Sequence, residues 1–222
     1  MKVLAFDVDG TVLNTLDSII YQVNKTLVEN KFNEINDRDF FKKILGYGSK
    51  YLIAEALAHQ NNNIKDENIV NEILEYYLNR YNSEPSYLTK PYEGIPELLE
   101  ELKKEGYTII CYSNKPDDVL QKVMNDILPN KFDEVCGILP NAPTKPDPTV
   151  LLNLLKKYNV NKEEACYIGD SDVDMQTAQN AGVHAIAVSW GFRSREFLEK
   201  LEPEYIADNT EELKKIIDNL KK

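Results

Sequence analysis

The sequence predicts an α/β fold, a doubly wound (Rossmann-like) parallel sheet core with an inserted α-helical cap domain. Three observations predict it. Short apolar runs of strand length alternate with helical periodicity from Gly94 to the C-terminus. Between Thr15 and about Ser86 the periodicity is helical throughout and no strand run occurs. Polar residues able to do chemistry follow directly after the strand runs, where an open parallel sheet keeps its ligand crevice.

Lys2–Val8 is an apolar run rich in strand formers, too short for a helix and ended by Asp9-Gly10, which marks a buried first strand. Leu16–Val28, Arg38–Leu45, Lys50–Ala58 and Glu67–Tyr81 then read as the helices of the insertion. Pro85 and the Lys90–Gly94 segment return the chain to the sheet, because proline and glycine end helices and set turns. The spacing predicts helices over Gly94–Lys104, Asp117–Ile127, Pro148–Tyr158, Asp174–Asn180, Ser194–Lys200 and Thr210–Lys221. Strands are expected at Tyr107–Tyr112, Glu134–Ile138, Ala165–Ile168, Ala185–Ser189 and Tyr205–Ala207. Asp147 ahead of Pro148 predicts an N-cap with a first-turn proline, and Asn209 followed by Glu212 resembles a capping box. The boundaries expected are residues 1–15 and 87–222 for the core and 16–86 for the cap.

Composition narrows the partners. The 222 residues are 42% hydrophobic and 28% charged, an ordinary globular balance. Lys and Arg number 26 against 37 Asp and Glu, so the formal net charge is −11. That excess repels phosphate backbones, and general nucleic-acid binding through a basic face is not expected. Asp7 and Asp9 interrupt the first apolar run before it reaches signal-peptide length, and no stretch approaches the roughly 20 apolar residues of a membrane span. A cytoplasmic monomer or homodimer is expected. Cys111, Cys136 and Cys166 are an odd number in or beside strand runs, which suits reduced core thiols.

Four groups sit at predicted strand ends: Asp7-Val8-Asp9-Gly10-Thr11, Ser113-Asn114-Lys115, Lys145-Pro146-Asp147-Pro148 and Gly169-Asp170-Ser171-Asp172-Val173-Asp174. Taken singly each has a structural explanation, since Asp before Gly is a common turn, Ser113 or Asp174 could cap a helix, and Lys145 could be a solvated charge. Taken together they converge on one crevice. Their order and spacing resemble the haloacid dehalogenase superfamily of aspartate-nucleophile phosphohydrolases. The Asp-x-Asp-Gly-Thr motif is residues 7–11, the Ser/Thr motif Ser113, the lysine motif Lys145, and the acidic motif Gly169-Asp170 with Asp174. The insertion after the first motif resembles the subgroup with a small helical cap, and Tyr167–Phe192 resembles phosphoglycolate phosphatase relatives.

The resemblance implies that Asp7 attacks phosphorus to form an aspartyl-phosphate, which water then hydrolyses. In an extended strand the Asp9 carboxyl would share a face with Asp7 and could protonate the leaving group, its proton favoured by neighbouring carboxylates and phosphate. Asp7, Asp170 and Asp174 beside a phosphate repel one another, by about 4 kcal/mol for a like pair at ~4 Å and an effective dielectric of ~20. Hard oxygen ligands fit Mg²⁺, and the resemblance implies Asp7, the Asp9 main-chain carbonyl, Asp170 and Asp174 as its ligands. Lys145, the Ser113 hydroxyl and the Asn114 N–H are expected on the phosphoryl oxygens, and Lys145 could also hold Asp7 and Asp174 in place.

Dehalogenases and phosphonate hydrolases of the superfamily lack an acid at the second motif position, and Asp9 supplies one here. The expected activity is therefore a Mg²⁺-dependent phosphatase of small phosphorylated metabolites, phosphoglycolate phosphatase-like. A pyrophosphatase or nucleotidase, or a phosphomutase of the β-phosphoglucomutase type, uses the same groups and remains open. In the cap, Gly46-Tyr47-Gly48-Ser49 leads into a helix at Lys50, and its N–H groups with the Lys50 ammonium could hold a second anionic group; a flexible turn with Ser49 as N-cap is the plain alternative. Trp190-Gly191-Phe192-Arg193 reads as loop packing, and His59 and His184 show no partner pattern.

Overall fold

The computed structural model describes residues 1–60 and 64–220. The chain opens with β1 (Val3–Phe6), buried along its whole length. A parallel strand covered on both faces reads as one apolar run, and its alternate side chains enter different cores. Leu4 and Phe6 join Ile109, Ile168 and Ile186 in one cluster, whereas Val3 and Ala5 join Ile110 and Tyr167 in the other. The strand is shorter than its apolar run. Beyond Phe6 the N–H groups of Thr11, Val12 and Leu13 all donate to the Val8 carbonyl, and Gly10 takes a φ of +93°, which glycine adopts at little cost.

After the two-residue strand β2 (Leu13–Asn14) come four helices: α1 (Leu16–Glu29), α2 (Arg38–Ile44), α3 (Ser49–Ala58) and α4 (Glu67–Ser83). Leu16, Ile19, Val23 and Leu27 form the buried face of α1, and Val70, Ile73, Tyr77 and Tyr81 that of α4. Asp37 and Asp66 accept first-turn N–H groups of α2 and α4. Ser49 begins α3 instead of capping it, the N-cap being Gly48. α4 ends just before Pro85. β3 (Lys90–Pro91) then pairs antiparallel with β2, Leu13 opposite Pro91 and Asn14 opposite Lys90, so the two ends of the insertion are tied together. Ladders this short have no period and leave no mark on the sequence.

The remaining elements alternate. They are α5 (Ile95–Lys104), β4 (Thr108–Pro116), α6 (Asp117–Ile127), β5 (Glu134–Ile138), α7 (Thr149–Lys157), a 3₁₀ turn (Lys162–Glu164), β6 (Ala165–Gly169), α8 (Asp172–Ala181), β7 (His184–Val188), α9 (Arg195–Glu199), β8 (Tyr205–Ala207) and α10 (Thr210–Leu220). The expected end of the last helix, Lys221, lies outside the described residues. β4 runs on through Ser113, Asn114 and Lys115, past its apolar segment. α8 starts two residues earlier than its apolar periodicity, because Ser171 and Asp174 form a reciprocal capping box. At α7 Asp147 accepts the Thr149 N–H at 2.8 Å from one position before the cap residue, Pro148. Asn209 accepts the Glu212 N–H at 2.9 Å, but Glu212 returns to the Asp208 N–H instead of closing the box on Asn209.

Six strands form one parallel sheet in the order β5-β4-β1-β6-β7-β8. Leu99 and Leu102 of α5, Val119 and Val123 of α6, and Leu213 and Ile217 of α10 join the Leu4–Phe6 face; Leu151 and Leu155 of α7 and Ala178 of α8 join the Val3–Ala5 face. Chain direction across the sheet reverses at β1, flanked by β4 and β6. The crevice at a switch point lies off the carboxyl ends of those strands, which is where Asp7, Ser113 and Asp170 stand. Cys111 and Cys166 are buried, Cys136 is partly buried, and all three are free thiols. Among the described residues no helix is long and apolar enough to cross a membrane.

Candidate active site

Asp7 follows β1 directly, its N–H donating to Ile168 of the adjacent β6. Lys145 comes from the loop before α7, and its ammonium donates to Asp7 Oδ1 at 2.6 Å, Asp174 Oδ1 at 2.7 Å and the Tyr167 hydroxyl at 3.0 Å. Tyr167 in turn donates to the Tyr112 carbonyl at 2.9 Å. The three N–H groups of the ammonium are therefore all engaged, which a buried cation requires. Asp170 receives the Thr11 hydroxyl at 3.0 Å and the Phe192 N–H at 2.6 Å. Asp174 is turned by its own cap, Oδ2 receiving the Ser171 N–H at 3.0 Å and leaving Oδ1 for the lysine.

Glycine makes this density of carboxylates possible. A Cβ on Gly10 would lie 2.3 Å from Asp170 Oδ2, and one on Gly169 would lie 2.3 Å from Asp174 Cγ. Gly191 is equally close to Asp170. Asp9 lies beyond the end of β1, so no extended strand aligns the two acids. Both nevertheless line one cavity, with Ser113, Asn114 and Lys115 of β4. Asn114 accepts the Lys145 N–H at 2.8 Å and donates to the Lys145 carbonyl at 3.1 Å and the Gly46 carbonyl at 2.9 Å. The asparagine thus fixes the lysine loop and one point of the insertion together.

Lys115 was not assigned a role from the sequence. Its side chain is 2% exposed and its ammonium lies 3.1 Å from Asp9 Oδ2 and 2.6 Å from the Tyr81 hydroxyl of α4. Its place beside Ser113-Asn114 was the available signal. Thr11 belongs to the first motif but was given no role, and Tyr167 was missed, since nothing in its residue type separates it from core residues. The Trp190–Arg193 loop does more than pack, because Phe192 holds Asp170 and Trp190 donates to the Thr11 carbonyl at 2.9 Å.

The insertion roofs a cavity of about 40 Å³ with Ile19, Ile44, Leu45, Leu52, Tyr77 and Tyr81. Gly46, Gly48 and Ser49 line it, whereas Tyr47 and Lys50 do not. The Tyr47 hydroxyl donates to Asp172, and Lys50 is more than half exposed and pairs with Glu67 at 2.9 Å. Arg193 ties the same loop to the sheet. Its guanidinium donates to the Lys42, Lys43 and Leu45 carbonyls at the end of α2 and to Asp172. His184 pairs with Glu204 at the surface and His59 stacks near Phe40; neither lines the cavity.

Burial pushes the Asp7 carboxyl up to about 7; Lys145 opposes the shift, and Asp174 and Asp9 add to it. Asp170 is raised well above the ordinary range by burial and by Asp174 and Asp7, against the Phe192 and Thr11 donors. Burial alone would lower Lys145, but Asp174 and Asp7 outweigh it and hold the ammonium charged. Two buried acids thus share one lysine, and a third, Asp170, stands beside them on neutral donors. Asp7, Asp170 and Asp174 can each offer one oxygen, with those oxygens within 4.8 Å of one another. A compact, all-oxygen donor set with excess negative charge fits a hard divalent cation.

Fold and site together define an open α/β enzyme whose chemistry is built on clustered carboxylates and a buried lysine. The chain belongs to the haloacid dehalogenase-like hydrolase family, whose model matches residues 4–188. It is 30% identical over 220 residues to the phosphoglycolate phosphatase of Aquifex aeolicus (strain VF5), covering 99% of this chain and 98% of that protein. It is 29% identical to the pyrophosphatase PpaX of Bacillus cereus (strain B4264), covering 99% and 98% respectively. A solved structure from Lactobacillus delbrueckii subsp. bulgaricus, with a provisional phosphoglycolate phosphatase assignment, superposes with a TM-score of 0.91 at 29% identity, over 97% of this chain and 98% of that one.

Proposed function

We propose that the chain is a Mg²⁺-dependent phosphatase that hydrolyses small-molecule phosphomonoesters through an aspartyl-phosphate on Asp7, in the manner of a phosphoglycolate phosphatase. The observation that carries this reading is the arrangement around Asp7. One of its oxygens is fixed by Lys145 at 2.6 Å, while the acid two residues on lines the same cavity. A nucleophile and a proton donor thus face one small space.

In this reading the Asp7 carboxylate attacks phosphorus in line, Ser113 and the Asn114 N–H hold phosphoryl oxygens, and Lys145 keeps Asp7 aimed. The proton on Asp9 goes to the departing alkoxide as the P–O bond breaks. Asp9 then takes a proton from the water that hydrolyses the intermediate. Asp7, Asp170, Asp174 and the Asp9 main-chain carbonyl would hold Mg²⁺, which supplies positive charge against the phosphoryl oxygens when bound. Residues 16–86 act as a cap over a core of residues 1–15 and 87–222, excluding water from the site.

The cavity limits the substrate. Its cap side is apolar and its volume is about 40 Å³, which suits a leaving group of a few atoms better than a nucleoside. Lys50 does not line the cavity and pairs with Glu67 instead. What remains at that position is the N-terminus of α3 at Gly48–Ser49, which lines the cavity and has no side-chain cap. Its N–H groups favour an anionic leaving group, carboxylate or phosphate. Pyrophosphate is therefore the second reading, supported also by the likeness to PpaX.

Phosphate release from 2-phosphoglycolate, pyrophosphate, nucleoside monophosphates and hexose 1-phosphates, with Mg²⁺ and with chelator, tests the assignment. The expected result is Mg²⁺-dependent release, fastest from 2-phosphoglycolate. Release indifferent to chelator, or interconversion of hexose phosphates without phosphate release, contradicts it.

A further inference from the structure

The Lys145 ammonium donates to two carboxylates and one neutral group. Asp7 and Asp174 take two of its N–H groups, and the Tyr167 hydroxyl takes the third at 3.0 Å. Tyr167 is wholly buried on β6 and packs in the cluster of Val3, Ala5 and Ile110. A phenylalanine would serve that packing equally well, so the hydroxyl asks for a separate explanation.

The direction of its two hydrogen bonds is fixed. The hydroxyl lies 2.9 Å from the Tyr112 carbonyl. A carbonyl only accepts and an ammonium only donates, so the phenolic proton points to Tyr112 and a lone pair faces Lys145. The Tyr112 carbonyl is within reach because β1 ends first. Its ladder on β4 stops at Phe6 opposite Cys111, and Tyr112 is the next residue of β4. Tyr167, from β6 on the other side of β1, reaches across that end. The two tyrosine rings meet edge to face at 84°, with centroids 6.3 Å apart. The ammonium stands 5.7 Å from the Tyr112 centroid and 5.4 Å from that of Tyr167. Ring packing thus places the hydroxyl, and the end of β1 orients it.

We propose that Tyr167 is a positioning residue: its hydroxyl, oriented by the Tyr112 carbonyl, fixes the third N–H of Lys145 and so holds the ammonium where it bridges Asp7 and Asp174. This rests on the assignment of Asp7 as the nucleophile and of Lys145 as the group that aims it. Without the hydroxyl, one buried N–H and one buried carbonyl lose their partners. An ammonium held by two carboxylates alone is free to tilt toward either. A tilt toward Asp174 loosens Asp7, and a nucleophile must be held in line with phosphorus for its attack to be fast. The strand end that releases Asp7 into the site is therefore also what lets Tyr167 steady the lysine that aims it.

A double-mutant cycle tests this. Phosphate release from 2-phosphoglycolate by the Mg²⁺-loaded enzyme is compared for wild type, Tyr167→Phe, Lys145→Met and the double variant, at a temperature where all four are folded. Tyr167→Phe is expected to lower kcat about tenfold with KM changed by less than about threefold, short of the ~10²-fold that a ~1 Å misplacement can cost. In the Lys145→Met background the same substitution is expected to change kcat by less than about twofold, because it acts through that lysine. Equal losses in both backgrounds show a merely structural role, and no loss in the wild-type background shows none; either overturns the inference. A second measurement needs no turnover. In proton–nitrogen correlation spectra of the metal-free protein, the Lys145 ammonium signal is assigned by its absence from Lys145→Met, or from Lys145→Gln if the first does not fold. Its protons are expected to exchange with water at least about tenfold faster in Tyr167→Phe, having lost one of their three acceptors. Unchanged exchange overturns the inference whatever the activity of the variants. Wild-type kcat in Lys145→Met instead overturns the role given to Lys145 in the reaction, and the inference with it.

Discussion

The side chains at this site are held by pairs of constraints, one electrostatic and one steric. Asp174 shows both: its carboxyl is turned by the Ser171 cap toward Lys145, and Gly169 leaves it room. Because a Cβ at Gly169 would lie 2.3 Å from Asp174 Cγ, Gly169→Ala is expected to keep the fold, push Asp174 aside and weaken Mg²⁺ binding about 10–100-fold, as altering a ligand's support commonly does. Calorimetric titration of the variant with Mg²⁺ checks this, and unchanged affinity would show that Asp174 is not held by this contact. The carboxylates and Lys145 were legible in the sequence because their type and spacing are tied to chemistry. The part that Thr11, Tyr167 and the Phe192 N–H play was not. A backbone donor carries no residue signature, and a buried tyrosine hydroxyl looks like core until its partner is known. Lys50 illustrates the opposite case, where the residue type suggested an anion site but rotation along α3 pairs it with Glu67.

The loop from α2 to α3 is where the insertion meets the sheet. Arg193 donates to three carbonyls at the end of α2, Tyr47 donates to Asp172, and Asn114 donates to the Gly46 carbonyl. These bonds close the cavity from above using few residues. Arg193→Ala leaves those carbonyls without their donor and is expected to cost about 2 kcal/mol. Amide exchange over α2 and the following loop should accelerate while β4 and β6 stay protected; uniform acceleration across the sheet would show a global effect instead. The strands and helices here were readable from periodicity, since a parallel strand buried on both faces must be apolar and a helix on the sheet must show a stripe. Their ends were less readable. β1 stops at Phe6 because the turn on the Val8 carbonyl competes with the ladder, and β4 continues into polar Ser113–Lys115 because site residues need a rigid strand beneath them. The β2–β3 pair was invisible, being too short to have a pattern.

At the scale of the whole molecule, folding gathers three acids into a space that disfavours their charge. Between the ordinary aspartate value of 3.8 and about 7, the folded protein retains the Asp7 proton and the unfolded chain does not. The folded state then binds more protons, so this contribution to stability is present at low pH and is lost as pH rises toward 7. Asp170 acts in the same direction. A divalent cation held by the deprotonated cluster would compete with those protons. Mg²⁺ at about 100 times its dissociation constant should stabilise by about 2.7 kcal/mol at pH 8, raising Tm by about 5–10 °C, with a much smaller rise at pH 5. Thermal unfolding with and without Mg²⁺ at the two pH values measures it. An equal shift at both would mean that the metal does not bind these carboxylates. The net charge of −11 belongs to the same picture. A negative protein offers a phosphate little long-range attraction, so under the proposed function binding would depend on close contacts, the apolar roof and a bound metal.

The account turns on Asp7 as the group that takes the phosphoryl. The most direct measurement is acid quench of the enzyme during turnover of 2-phosphoglycolate with Mg²⁺, followed by peptide mass spectrometry of the trapped acyl phosphate. The adduct is expected on the peptide carrying Asp7, and both adduct and phosphate release should be lost in Asp7→Asn. An adduct on another residue, or phosphate release undiminished in Asp7→Asn, would contradict it.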